Sequence, residues 1–157
     1  MNDGKKYDLL VSHNQIRFRS KPYSDSDHQW GPGNIEQGFI VGNGVVVADP
    51  LAEGAFGANV IVRLADAFQM DANTQRAVSI NFNILDADDV TVSSATEQFK
   101  VDLPFQTGDC TLFYEVCLED EVYYIFTVVT SISDKSFSLL KDDWGLEKGQ
   151  ELVAGKF

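Results

Sequence analysis

The stretch Val78-Ser79-Ile80-Asn81-Phe82-Asn83-Ile84 constrains this chain more than any other. Apolar and polar residues alternate strictly along it. Successive side chains of an extended strand point to opposite faces, so the pattern predicts a strand with one buried and one wet face. The same order wound as a helix would scatter its apolar groups around the axis. The motif recurs at Tyr7, Leu9 and Val11, at Ile16 and Phe18, at Phe99, Val101 and Leu103, and at Leu112, Tyr114 and Val116. Val90 and Val92 follow the turn Asp86-Ala87-Asp88-Asp89, and Pro104 marks a place where pairing stops. Residues 122–130 are nearly all strand formers, which predicts a central strand covered on both faces, and residues 59–64 supply another strand.

Around Gly42-Asn43-Gly44 the sequence fits either a tight hairpin with a type I′ turn or one strand with a bulge. Helical signals are weak. Residues 49–56 and 66–75 can each hold a short helical turn. In 138–152, Leu139, Leu140 and Trp144 fall at helical spacing, interrupted by Gly145 and Gly149. The expectation is therefore one all-β domain over residues 1–157: an antiparallel β-sandwich of about eight strands with short helical segments and a C-terminal helix. A chain of 157 residues is long enough to bury a sizeable core without a disulfide or metal.

The charge is less ordinary than the pattern. Against 12 Lys and Arg stand 24 Asp and Glu, a formal net of −12. Residues 1–21 carry five cations (Lys5, Lys6, Arg17, Arg19, Lys21) and two anions (Asp3, Asp8), a net of +3, which leaves −15 on residues 22–157. A surface this acidic repels phosphates and anionic membranes, so neither direct nucleic-acid binding nor membrane insertion is expected. It attracts cations and basic proteins. Cys110 and Cys117 sit an odd number of positions apart on one extended segment, so they face opposite sides and lie roughly 23 Å from each other, beyond disulfide reach. Two reduced, partly buried thiols and a polar start (Asn2 to Lys6) without an apolar leader point to a cytoplasmic protein.

Catalytic signals are missing. Ser12 and His13 are neighbours, and on a strand they would face opposite ways and fail to pair as nucleophile and base. No nucleophile elbow or phosphate loop is present, and neither cysteine has cationic neighbours in sequence. Asp25, Asp27 and His28 cluster in a polar loop without the His or Cys spacing of a metal site. Asp86, Asp88 and Asp89 share a turn between two strands, where calcium-binding sandwiches place such carboxylates, but Asp is also common in turns because it binds local N–H groups. No enzyme, cofactor or resident metal is expected. Counting strands as antiparallel gathers the acidic loops at two ends. Asp86, Asp88, Asp89 and Asp109 would share one end, and Glu97, Glu119, Asp120 and Glu121 the other, each suited to a basic partner.

Val11-Ser12-His13-Asn14-Gln15-Ile16, Trp30 and Ile35-Glu36-Gln37-Gly38-Phe39, followed by Gly44 to Val47 and the strands from Val78 through Pro104 and Gly108 to about Val129, resemble the competence protein J family over roughly residues 8 to 130. The region from Ala65 to Arg76 and the tail from Ser131 to Phe157 depart from that pattern. The resemblance implies a small cytosolic inhibitor of a DNA-entry nuclease, similar to immunity proteins that neutralise nuclease toxins. A nuclease presents a cationic cleft to phosphates, and an acidic protein can fill it. On that reading the partner-binding residues are His13, Gln15, Trp30 and the acidic loops, with Gln37 as a further signature residue. Trp30 is then either a desolvated anchor or a staple on the fold, and His13 and Gln15 either line the inhibitory face or satisfy buried backbone. The competing expectation is a calcium- or ligand-binding β-sandwich module.

Overall fold

The alternating segments become strands. A computed structural model describes residues 3–22, 29–50, 54–130 and 138–142. In order the elements are β1 (Asp3–Val11), β2 (Ile16–Arg19), α1 (Pro32–Gln37), β3 (Phe39–Gly42), β4 (Val45–Ala48), β5 (Phe56–Ala65), β6 (Thr74–Ile84), β7 (Thr91–Ser93), β8 (Gln98–Lys100), β9 (Gly108–Leu118), β10 (Val122–Val129) and β11 (Ser138–Asp142). They form a six-stranded sheet in the order β1-β5-β10-β9-β6-β11 and a five-stranded sheet in the order β3-β4-β2-β7-β8.

The all-β expectation holds, and three details change. There are eleven strands among the described residues instead of about eight. Pairing is not wholly antiparallel: β10 runs parallel to β5, with Tyr124 beside Val60 and Val129 beside Ala65. A parallel pair needs a long connection, and here the chain passes through the second sheet between the two strands. Finally, the proposed C-terminal helix is a strand where it is described. Ser138–Asp142 pairs antiparallel with the otherwise open edge of β6, which offers it a ladder of backbone partners. The remainder of that helical span, 143–152, lies outside the described residues. No helix forms in the described parts of 49–56 or 66–75, but the second holds a single hydrogen-bonded turn at Ala72 and Asn73, where the Thr74 N–H donates to the Asp71 carbonyl at 3.2 Å. Among the described residues the helix is α1, started by Pro32 in its first turn and ended by Gly38 at φ 85°, whose N–H donates to the Asn34 carbonyl.

One apolar core lies between the sheets. Leu9, Val60, Ile80, Leu112 and Phe126 project from the first sheet toward Ile16, Phe18, Val46 and Val92 of the second. Phe18 stacks on Phe126 with ring centres 5.1 Å apart and meets Phe82 edge-on at 5.3 Å; Phe39 meets Tyr114 edge-on at 5.7 Å. Each such aromatic pair adds about 0.5–1.5 kcal/mol beyond its buried area. β10 is central, between β5 and β9, and both its faces are covered: Tyr124 and Phe126 inward, Ile125 and Thr127 outward. Gly42-Asn43-Gly44 is a hairpin, with Gly42 opposite Val45. Its turn is not type I′, because Gly44 (φ 75°) takes the left-handed conformation and Asn43 does not.

Candidate functional site

Register brings the acidic loops to the two ends of the first sheet. Ile84 pairs with Gly108, so the turn after β6 and Asp109 share one end. There Asp86 is absorbed by the turn: its Oδ1 accepts the Asp88 N–H at 2.9 Å, and its own N–H donates to the Ser20 carbonyl at 3.0 Å. Asp88 and Asp109 are exposed and Asp89 is half-buried. The described residues contain no group of three His, Cys, Asp or Glu arranged to hold a metal, and Asp25, Asp27 and His28 lie outside them.

The opposite end is built from more elements. Val11 pairs with Phe56, and Val60 lies beside Tyr124, so the β1–β2 turn and the β9–β10 hairpin tip lie at the same end. Glu119, Asp120 and Glu121 form that tip and are all exposed, and their carboxylates make no hydrogen bond among the described residues. Together with Asn59, Val122 and Tyr123 they line a shallow groove. The β7–β8 turn is tied to the β1–β2 turn. Ser94 Oγ accepts the Ser12 N–H at 2.8 Å and lies 3.0 and 2.7 Å from the carbonyls of Ser12 and Gln15. Glu97 Oε1 accepts the Leu10 N–H at 3.0 Å, which blunts the free edge of β1.

This end corrects the reading of Ser12 and His13. They do contact, His13 Nδ1 lying 3.2 Å from Ser12 Oγ. The chain is not extended there: His13 and Asn14 have φ of 57° and 53°, a tight turn that swings adjacent side chains together. Ser12 is buried in the join to Ser94, and among the described residues no carboxylate orients the His13 ring, so the pair lacks the third group of a nucleophilic site. Gln15 Oε1 accepts from Arg17 Nε at 3.0 Å instead of serving buried backbone. Gln37 does serve it, donating from Nε2 to the Phe39 carbonyl at 2.8 Å, as does Asn34 at 3.2 Å. Trp30 packs on Ile40, Val45 and Val47 on the outer face of the second sheet.

Sequence reasoning missed a buried polar cluster behind the groove. Residues 66–73 cross the outer face of the first sheet, where Phe68 stacks on Phe113 with ring centres 4.1 Å apart. Tyr123 donates its hydroxyl to Asp71 Oδ1 at 2.8 Å and accepts from Asn73 Nδ2 at 3.1 Å. Glu115 anchors the segment. Its Oε1 accepts the Asp71 N–H at 2.9 Å and the Thr74 hydroxyl at 2.7 Å, while Oε2 is buried without a hydrogen-bond partner among the described residues. Burial pushes the Glu115 carboxyl above its ordinary value; the bonds from Asp71 and Thr74 act against that rise. A charge inside the apolar run from Cys110 to Cys117 was the signal that could have found it. Both thiols are free and buried, and burial pushes each up to about 12, far from a reactive thiolate.

No match was found among curated proteins. Two solved structures share the fold. The crystal structure of ComJ from Bacillus subtilis, described as an inhibitor of the DNA degrading activity of NucA, superposes with a TM-score of 0.69 at 20% identity, covering 83% of this chain and 99% of that one. A structure described as Crocagin biosynthetic gene J superposes with a TM-score of 0.57 at 13% identity, covering 84% of this chain and 99% of the other. The sequence profile of the competence protein J family matches residues 8–129, and the chain belongs to that family.

Proposed function

We propose that this protein inhibits a DNA-degrading nuclease by placing its acidic end, the Glu119-Asp120-Glu121 hairpin with the neighbouring His13–Gln15 and Glu97 turns, against the enzyme's cationic cleft. The observation that carries the reading is three consecutive exposed carboxylates at a hairpin tip, none spent on an internal hydrogen bond among the described residues. Family membership and the net charge of −12 support it, as does the fold shared with a protein described as a nuclease inhibitor. A cleft built to hold phosphates presents Lys and Arg, and carboxylates on a hairpin tip have fewer conformations to lose on meeting them than those of a flexible tail. Asp88, Asp89 and Asp109 at the far end then add to the long-range field that speeds encounter. The two sheets act as a β-sandwich scaffold, and the buried free thiols suit a reducing, cytoplasmic setting.

The test is stoichiometric. One equivalent of protein should stop DNA cleavage by the cognate nuclease. A variant with Glu119→Gln, Asp120→Asn and Glu121→Gln should need a large excess. Full inhibition by that variant at one equivalent would remove the hairpin from the interface.

A further inference from the structure

β1 ends the six-stranded sheet: β5 lies on one side of it, and no described strand lies on the other. It is longer than the strands at the other sheet edges, β11, β3 and β8. Two hydrogen bonds fix which of its backbone groups point outward. The Leu10 N–H donates to Glu97 Oε1 at 3.0 Å and the Ser12 N–H to Ser94 Oγ at 2.8 Å, so neither serves β5. In an antiparallel ladder the backbone groups of alternate residues point to the same side, so those of Gly4, Lys6 and Asp8 also point outward. All three residues are exposed. The Lys6 and Asp8 side chains make no hydrogen bond or ion pair among the described residues. They share the outer face of the sheet, because Tyr7, Leu9 and Val11 between and beyond them turn toward the core.

Lysine on a free edge ordinarily discourages pairing. Here Asp8 supplies the opposite charge on the same face of the same strand. We propose that this edge pairs antiparallel with β1 of a second copy of the chain, Lys6 of each opposite Asp8 of the other. Outward backbone groups must meet outward groups, which restricts pairing to even-numbered residues. A two-fold axis through Lys6 would set that lysine against itself, and an axis through Asp8 would do the same to the aspartate; like charges directly opposite disfavour both. An axis further toward either end leaves Lys6 and Asp8 without their opposites. The axis through Tyr7 sets Lys6 against Asp8 twice, and each such pair exchanges both backbone bonds and adds a cross-strand ion pair. The ladder ends where Gly4 meets Leu10, whose N–H is already held by Glu97. A contact this small and polar gives a weak dimer that forms at high protein concentration and loosens with salt. The proposal does not rest on the nuclease reading: antiparallel pairing sends the two Glu119-Asp120-Glu121 hairpins to opposite ends, so both stay open.

The experiment is sedimentation equilibrium of the full chain from low micromolar to near-millimolar concentration, with amide hydrogen exchange at the two extremes. At low salt the mass should rise from monomer to dimer. Lys6→Asp and Asp8→Lys, each checked for folding by circular dichroism, should each weaken the dimer by roughly tenfold, since both pairs then oppose like charges. An equimolar mixture of the two variants should regain it, because one then carries acid at both positions and the other base at both. In the natural protein the Lys6 and Asp8 amides should exchange more slowly at high concentration, while the Tyr7 amide, turned toward β5, should not change. A monomer across the whole range would overturn the proposal. So would Lys6 and Asp8 amides that ignore concentration, or a dimer equally strong in both single variants.

Discussion

Replacing Glu115 separates what its hydrogen bonds contribute from what its charge takes away. In Glu115→Ala the Asp71 N–H and the Thr74 hydroxyl lose their common acceptor. A buried donor left unsatisfied costs about 1–3 kcal/mol. Thr74 can recover part of this by turning toward Cys117 Sγ, 3.6 Å away. The expected loss is therefore about 2–4 kcal/mol, or a fall in Tm of roughly 4–16 °C for a chain of this size. Glu115→Gln behaves differently. It keeps an acceptor at Oε1 and is the neutral isostere of the protonated acid, the form that burial favours here. Because the carboxyl titrates above its ordinary 4.5 in the folded protein, the unfolded chain releases its proton first as pH rises. Stability falls across that window, and the full penalty is present above it. At pH 7 Glu115→Gln should thus be as stable as the natural protein or more so. As pH falls toward 4.5 the natural protein should gain on the variant. Thermal melts of the three proteins across that range measure both effects. Glu115→Gln as damaging as Glu115→Ala, with a gap that ignores pH, would refute the argument.

Other outcomes follow from the same geometry. Phe126→Ala should destabilise by about 3–5 kcal/mol in chemical denaturation, because its ring packs on both Phe18 and Tyr114 in the core. Gly44→Ala should lose about 1–2 kcal/mol, since φ is 75° there and a Cβ would sit 2.7 Å from Leu85 Cδ1; Leu85 is partly exposed and can yield, so the backbone term dominates. Cys110 and Cys117 should resist a thiol reagent at pH 8 in the folded protein and react promptly in denaturant; fast labelling of the native state would contradict their burial.

Strand identity was legible because a buried face imposes a period of two on side chains, and the inward sets Val78, Ile80, Phe82, Ile84 and Leu112, Tyr114, Val116 obey it; the outer faces are not uniformly wet, since Ser79 and Glu115 are buried there too. Topology was less so. The parallel contact of β5 with β10 joins segments far apart in sequence, and no local residue choice encodes which distant strand becomes a neighbour. Ser138–Asp142 shows the limit of helical spacing as evidence: an open sheet edge captured residues whose local pattern also fits a helix. The acidic hairpin at 119–121 was placed correctly at one end because hairpin connectivity alone fixes it. His13 was misread because two positive φ angles turned an apparent strand into a corner. Glu115 stayed hidden because the segment 66–73 that buries it arrives from outside its own strand pair.

The central claim is that carboxylates at one end of the molecule meet a cationic nuclease cleft. Its most direct measurement is the affinity for the cognate nuclease as a function of salt, for the natural protein and for the Glu119→Gln, Asp120→Asn, Glu121→Gln variant. Binding of the natural protein should weaken steeply as salt rises, and the variant should bind more weakly with a shallower slope. Equal affinities and equal slopes for the two proteins would contradict the account.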